Sequence, residues 1–181
     1  MKSQITIKKI QELLIKRVQT IYVDDDTSRR MWWASLEVIQ KDFLSQNYKQ
    51  GGIWVASPLP AFNDKKFLNQ LHGWLWSPEG FPYFQNENAG FLPVNNSEKI
   101  KKDFDLVSNY KVLNLCQEDG YEPFLMIITP NFQCVLSIVG EKDKKILLMK
   151  CDEESLKLSI ELMHAKLNQE NYEEGVKFRN A

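Results

Sequence analysis

The residues best suited to metal or acid–base chemistry are few and widely separated in this chain. Its two histidines, His72 and His164, lie in opposite halves, and neither belongs to an HxH, HxxxH or CxxC pattern of the kind that binds zinc. The three cysteines, Cys116, Cys134 and Cys151, each lie in or beside a hydrophobic run. That setting is typical of reduced thiols in a core rather than of disulfides or metal ligands. The sequence therefore predicts no metal site and no cofactor.

Patterns that bind nucleotides or activate nucleophiles are also missing from the sequence. It contains no GxGxxG, GxxxxGKS/T or GxSxG motif, and the glycines at 51 and 52 are better explained by a tight turn. The acidic clusters 24–26 and 152–154 stand where helices are expected to begin, so capping explains them better than paired catalytic carboxylates. The segment ELMHAKLNQ lacks the acidic residue and the proline that follow the histidine of a histidine-kinase phosphoacceptor box. We therefore predict no catalytic residues and no enzymatic activity; for a nonstandard enzyme site, His72 is the best polar candidate.

Aromatic side chains supply the candidate binding surface. Tryptophans inside or beside predicted strands could line a pocket, although packing in the core is the simpler explanation for them. The stretch 80–97 is rich in Gly, Pro, Asn and aromatic residues, so we expect an ordered loop that presents a specific surface. The candidate ligand-binding or partner-binding residues are Trp54, Trp74, Trp76, Phe81, Tyr83 and Phe84.

A second group of aromatic and basic residues lies nearer the N-terminus. Arg29 and Arg30 are followed by Trp32 and Trp33, and together they could contact a phosphate or stack on a planar ligand. The simpler interpretation is a helix with Trp32 turned inward and both arginines solvated, because an isolated arginine pair makes no basic groove.

Length and charge limit the partners that this chain can have. It has 181 residues, of which 43% are hydrophobic and 26% charged, a composition typical of one folded domain. The formal net charge of -1 gives no electrostatic reason to bind nucleic acid or an anionic membrane. Polar residues interrupt the apolar stretches of the N-terminus, and no window is long enough for a membrane span. We therefore expect a cytoplasmic protein with neither a nucleic-acid nor a membrane partner.

Hydrophobic periodicity predicts an α+β fold. Apolar residues at helical spacing indicate two N-terminal helices, and strand-like runs follow at 53–56 and 72–76. The later part of the chain should form an antiparallel meander within a mostly antiparallel central sheet, because β-rich runs alternate there with short polar turns. These runs are 110–116, 124–129, 132–139 and 146–151.

The C-terminal region is predicted to hold one helix and then lose its structure. The helix begins near Asp152 and continues through a series of apolar residues to Leu167. The residues beyond it, NQENYEEGVKFRNA, are largely polar. We therefore predict a single domain over residues 1–167 and a polar tail or linker over residues 168–181.

Four segments of the sequence are similar to a known family in their order and in their pattern of hydrophobic and turn residues. They are RRMWWASLEVIQKDFL, GGIWVASPLP, LHGWLWSPEG and EPFLMIITPNFQCVLSIVGEKDKKILLMKCDEESLKLSIELM. In this order, over residues 27–167, they resemble the DICT-type sensory region found beside two-component and cyclic-dinucleotide signalling domains, particularly in cyanobacterial sensor histidine kinases. The resemblance implies a sensor fold whose central sheet carries helices and passes a change of state to an output module. It brings no catalytic residues to this chain.

Together these features predict a non-catalytic sensory or regulatory input domain in signal transduction, which binds a small signal or a partner protein. The alternative is a ligand-binding or chromophore-binding accessory protein. The last helix follows the final strand directly, so it is the candidate route for a change of state and the candidate contact of a homodimer.

Overall fold

A computed structural model describes residues 4–15, 21–44, 51–58, 71–78 and 110–181. The strands in these segments are β1 (Ile53–Ser57), β2 (His72–Ser77), β3 (Tyr110–Asn114), β4 (Phe124–Ile128), β5 (Gln133–Glu141) and β6 (Lys144–Lys150). The α-helices are α1 (Ile7–Ile15), α2 (Asp25–Val38), α3 (Glu153–Glu170) and α4 (Tyr172–Asn180). A π-helix (Ile39–Leu44) continues α2, and a short 3₁₀ helix (Gln117–Asp119) precedes β4. The predicted α+β class is confirmed.

The strands form one mixed sheet in the order β3-β2-β1-β4-β5-β6. β3, β2 and β1 run parallel to one another, whereas β1, β4, β5 and β6 pair in antiparallel fashion. Each residue of β1 is buried, which suits its place in the middle of the sheet. At the outer side of β6, Val23 and Lys145 exchange two main-chain hydrogen bonds of 2.9 Å.

The predicted meander is right for β4, β5 and β6 but wrong for the run 110–116. The strand in that run, β3, lies at the other edge of the sheet and pairs parallel with β2, where Tyr110 stands opposite Gly73. The apolar β1 takes the place beside β4 instead. β3 exposes Lys111, Val112 and Asn114, so it suits an edge better than the buried position next to β4.

The two faces of the sheet carry separate cores because successive strand residues point to opposite sides. One face, here called the α2 face, packs Trp54 and Ala56 of β1 against α2 and the π-helix. The opposite face, here called the α3 face, packs Ile53 and Val55 against α1, α3 and α4. The sheet is therefore covered by helices on both sides.

Side-chain caps begin the helices where the acidic clusters predicted them. The Asp24 carboxylate accepts a hydrogen bond of 2.6 Å from the N–H of Thr27 at the start of α2. The Asp152 carboxylate accepts one of 2.9 Å from the N–H of Ser155 at the start of α3. Each bond satisfies a main-chain donor that has no partner within the helix.

The prediction of a polar tail over residues 168–181 is wrong. α3 continues to Glu170, and Asn171 then caps α4 by accepting hydrogen bonds from the N–H groups of Glu173 and Glu174. Phe178 is buried against Trp74, with ring centroids 5.3 Å apart in a T-shaped arrangement. Phe178 and the buried Glu174 attach this helix to the rest of the fold. Its other residues are mostly polar, so the hydrophobicity pattern did not indicate a packed helix.

A close backbone approach fixes Gly73 in β2. It stands opposite Trp54 in the β1–β2 ladder. A Cβ at this position would lie 2.1 Å from Cε2 and 2.4 Å from Nε1 of Trp54, far inside van der Waals contact. The indole of Trp54 therefore lies directly on the main chain of Gly73.

We predict that Gly73→Ala destabilises the fold by about 1–3 kcal/mol, because the new methyl group overpacks the α2 face. Urea unfolding followed by circular dichroism measures this loss. In a Trp54→Leu background, which lacks the indole, the same glycine substitution should cost less. An equal cost in both backgrounds would contradict this account of the packing.

Candidate functional site

The structure does not bring the three candidate tryptophans into one pocket. Trp54 lies on the α2 face and is 1% exposed, while Trp74 and Trp76 lie on the α3 face and are 3% and 0% exposed. Their shared feature is deep burial on the two sides of one sheet. The other candidates, Phe81, Tyr83 and Phe84, lie outside the described residues.

The remaining sequence candidates are distributed over β2, α2 and α3. His72 is exposed at the start of β2, and a ring nitrogen of His164 on α3 lies 2.9 Å from the amide nitrogen of Asn168. On α2, Trp32 is buried while Arg29 and Arg30 are exposed, as the simpler interpretation of that group predicted.

Two indole N–H groups hold the C-terminal helices on the sheet. Trp76 donates a hydrogen bond of 2.7 Å to the Glu170 carboxylate at the end of α3. Trp74 donates one of 2.9 Å to the Glu174 carboxylate on α4. Because a buried indole N–H needs an acceptor, these glutamates let two large aromatic residues pack in the core of the α3 face.

An ion pair lies beneath α3, next to these bonds. The Lys166 ammonium is 2.8 Å from Asp119 Oδ1, and both side chains are 1% exposed. Lys166 also contacts Glu170 at 2.6 Å and lies 5.3 Å from the centre of the Trp76 ring. Asp119 accepts a 2.9 Å hydrogen bond from the N–H of Ile7 in α1. We call Asp119, Lys166, Glu170 and Glu174, with the two indoles, the buried charge network.

The environment of Glu174 strongly favours its ionised form. Burial alone raises the pKa of this carboxyl. The hydrogen bonds from Lys177, Lys111 and Trp74 outweigh that effect and lower the pKa from its ordinary 4.5 to about 2. The distances from Glu174 Oε1 to the lysine ammonium nitrogens are 2.9 Å for Lys177 and 3.0 Å for Lys111.

An open groove of about 650 Å³ lies at the opposite end of α3. Its walls are residues 130–133 at the β4–β5 turn and the side of α3 between Glu153 and Glu161, with Cys151 between them. We call this space the α3 groove. Its residues were not predicted as a site; the turn and the helix were both visible in the sequence, but their proximity depends on the tertiary fold.

Local hydrogen bonds give the turn side of the α3 groove its shape. The N–H of Thr129 donates to the carbonyl of Phe132 at 2.8 Å, and the N–H of Phe132 donates to the Thr129 hydroxyl at 3.0 Å. The Phe132 ring stacks on Phe43 with centroids 4.4 Å apart. Phe43 belongs to the π-helix, a rare form of helix that is frequent at functional sites.

The chemistry of the α3 groove suits the binding of an amphipathic segment. Phe132, Leu156 and Ile160 supply apolar surface. The α3 wall also carries the carboxylates of Glu153 and Glu161 and the single ammonium of Lys157. Two carboxylates against one ammonium group make this lining weakly acidic, which would favour positive charge in an occupant.

The described part of the chain contains neither a metal-binding cluster nor a membrane-spanning helix. Across its segments, no group of three His, Cys, Asp or Glu side chains is arranged to hold a metal ion. Among its helices, none combines the length and the apolar character that crossing a membrane requires.

Replacing Lys166 with Met should destabilise the fold by about 3–5 kcal/mol, because Asp119 would stay buried without its partner. Urea unfolding measures this effect. The double variant Lys166→Met, Asp119→Asn should lose less than the sum of the two single variants, since it removes both charges together. Additive losses would show that the pair acts as two independent residues.

Glu174 makes a pH-dependent contribution to stability. Because its pKa is lower in the folded state than in the unfolded chain, the contribution is complete above about pH 5 and is lost as the pH falls towards about 2. Its size is at most about 3 kcal/mol, because water screens the partly exposed lysines. The stability difference between wild type and Glu174→Gln should shrink over this range. Glu173→Gln, an exposed change on the same helix, should retain the pH dependence of stability that wild type has. If Glu174→Gln also retained it, the role given to Glu174 would be contradicted.

Comparison with known proteins gives one result for nearly the whole chain. The sequence model of one protein family, described as a domain of unknown function (DUF8628), matches residues 8–181. No curated protein and no solved structure matches the chain. The matched region begins in α1 and includes α4, so it contains all the elements of the sheet and both of its helical layers. The chain belongs to the DUF8628 family.

Proposed function

We propose that this protein is a non-catalytic sensory or regulatory domain that binds a segment of a partner protein in the α3 groove. The observation that carries the proposal is the double role of α3. Its N-terminal half forms one wall of the groove, and its C-terminal half is fixed to the 3₁₀ helix through Lys166 and to β2 through Glu170. A segment bound in the groove therefore acts on a helix that leads directly into α4.

The walls of the groove indicate what kind of segment would bind. An apolar side chain of the partner would pack on Phe132, Leu156 and Ile160. A neighbouring lysine or arginine would pair with Glu153 or Glu161 at the rim. We therefore propose a short basic and apolar segment as the occupant.

The response would pass along α3 to α4. A ligand shifts a conformational equilibrium only when it binds two conformations with different affinity. Here the two conformations would differ in how α3 lies against the β4–β5 turn, while its far end stays attached through the buried charge network. The homodimer contact predicted for α3 would extend to α4, which follows after Asn171 and exposes Tyr172 and Val176.

Two further observations support this proposal. In the buried charge network Lys166 pairs with Asp119 and Glu170, and the two glutamates accept hydrogen bonds from the indoles, so these charged groups serve to attach helices. The sequence resemblance to DICT-type sensory regions favours a role in signal transduction, and we place the protein in the cytoplasm as part of the same proposal.

Peptide selection followed by charge reversal in the groove tests this function. Peptides selected from a displayed random library for binding to the full chain should be basic and apolar. Glu161→Lys should weaken their binding about tenfold, and Lys157→Glu should strengthen it, because the two changes have opposite effects on the charge of the rim. Fluorescence polarisation measures both dissociation constants.

Glu12→Lys provides the matched control, since it makes the same charge change on the exposed side of α1. It should leave the dissociation constant unchanged. Failure to select any peptide, or equal responses to Glu12→Lys and Glu161→Lys, would contradict the proposed site. Native mass spectrometry and an absorbance spectrum of the purified protein test the alternative: a bound mass that absorbs beyond the aromatic band would favour a chromophore-binding protein.

A further inference from the structure

Cys134 and Cys151 are neighbours across the end of the β5–β6 ladder. The register of this antiparallel pair places Val135 opposite Lys150. Continuing this register by one residue, just past the end of β6, brings Cys151 opposite Cys134. Directly opposed residues of antiparallel strands point to the same face of the sheet.

The hydrogen-bond pattern shows which type of pair this is. The N–H and carbonyl of Lys145 bond to Val23, on the side of β6 away from β5, so Lys145 and its opposite residue form a non-hydrogen-bonded pair. Cys151 lies an even number of residues further along and has the same orientation. Ile138 agrees, because its N–H points away from β6 to the carbonyl of Pro123.

This type of pair matches the geometry of a disulfide. The Cα atoms of a non-hydrogen-bonded antiparallel pair are about 4.5 Å apart, and their side chains approach more closely than in the other type. Disulfide-linked residues have Cα atoms about 4.4–6.8 Å apart. The two thiols could therefore be joined with little movement of the main chain.

The two cysteines differ in access to solvent. Cys134 is 0% exposed, whereas Cys151 is exposed, contrary to the expectation that all three cysteines are core thiols. Burial raises the pKa of Cys134, and the neighbouring Cys151 raises it further, in agreement with their closeness. Partial burial and the Asp152 carboxylate also raise the pKa of Cys151. A reagent from solution would therefore reach Cys151 first, and its reaction should be slow at neutral pH.

We propose that Cys134 and Cys151 form a reversible disulfide by exchange with a small disulfide such as oxidised glutathione. The Cys151 thiolate attacks one sulfur of the reagent, which gives a mixed disulfide and releases one thiolate. Cys134 then loses its proton to solvent and attacks the Cys151 sulfur, which releases the second thiolate. Two protein thiols are oxidised, and one small disulfide is reduced to two thiols.

The bond would tie the start of β5 to the start of α3. Cys151 directly precedes Asp152, the cap of α3, and it lies between the walls of the α3 groove. The disulfide would hold this end of α3 in a fixed position. Its formation requires no ligand in the groove, so it can be tested independently of the proposed function.

The experiment uses the full chain, reduced and then equilibrated in glutathione redox buffers at mildly alkaline pH. After acid quenching and alkylation, peptide mapping should identify a Cys134–Cys151 cross-linked peptide, and dithiothreitol should remove it. Cys116→Ser should form the same bond. Cys134→Ala should stop at the Cys151–glutathione mixed disulfide, and Cys151→Ser should form no cross-link. The rate should rise with pH because the thiolate is the attacking species.

The mapping of the wild-type chain alone decides the proposal, even if Cys134→Ala fails to fold. The proposal is overturned if the wild type accumulates only the mixed disulfide at every ratio of oxidised to reduced glutathione. It is also overturned if Cys116 takes part in the cross-link, or if no cysteine reacts.

Discussion

The arrangement of the α3 face depends on an ammonium group that is removed from water. Burying Lys166 costs several kcal/mol unless opposite charges and hydrogen bonds surround it. Asp119 of the 3₁₀ helix, the ring of Trp76 in β2 and Glu170, one turn further along α3, surround the ammonium group. Asp119 also accepts the N–H of Ile7, so α1 is drawn into the same contact. These elements therefore stabilise one another as a set.

The two ends of α3 have different surroundings. At its C-terminal end α3 meets the buried charge network, and Gly175 of α4 comes so close to Asn168 that a Cβ would lie 1.9 Å from its Oδ1. At its N-terminal end α3 faces the groove and is attached through its cap at Asp152. A contact made at the groove end therefore involves a helix whose other end is held by buried ion pairs and an indole hydrogen bond.

Local signals in the sequence predicted which helices and strands form better than they predicted which of these elements pack or pair with one another. Caps at Asp24 and Asp152 and the hairpins β4–β5–β6 follow from residues close together in the chain, and all were predicted. The parallel pairing of β3 with β2 was not, because alternation identifies a strand but not its neighbour. The candidate site was missed for a related reason: each wall of the α3 groove has an ordinary composition.

The polar residues of the last two helices illustrate the same limit. Glu174 and Lys166 are residue types that usually lie on a solvated surface. A hydrophobicity pattern therefore predicts that both side chains are exposed. Their burial follows from partners far away in sequence, Trp74 for Glu174 and Asp119 for Lys166. Conversely, the three tryptophans share no pocket, because the alternation of side chains places Trp54 on one face of the sheet and Trp74 and Trp76 on the other.

The bond between Trp74 and Glu174 also has a consequence for how the chain reaches its fold. It joins residues 100 positions apart. A contact of such long range forms only after a large loop has closed, which lowers the rate of folding. While the chain is being synthesised, the sheet can begin to assemble, but the indole N–H of Trp74 lacks this acceptor until α4 has left the ribosome. The α3 face therefore reaches its final packing only after α4 has emerged.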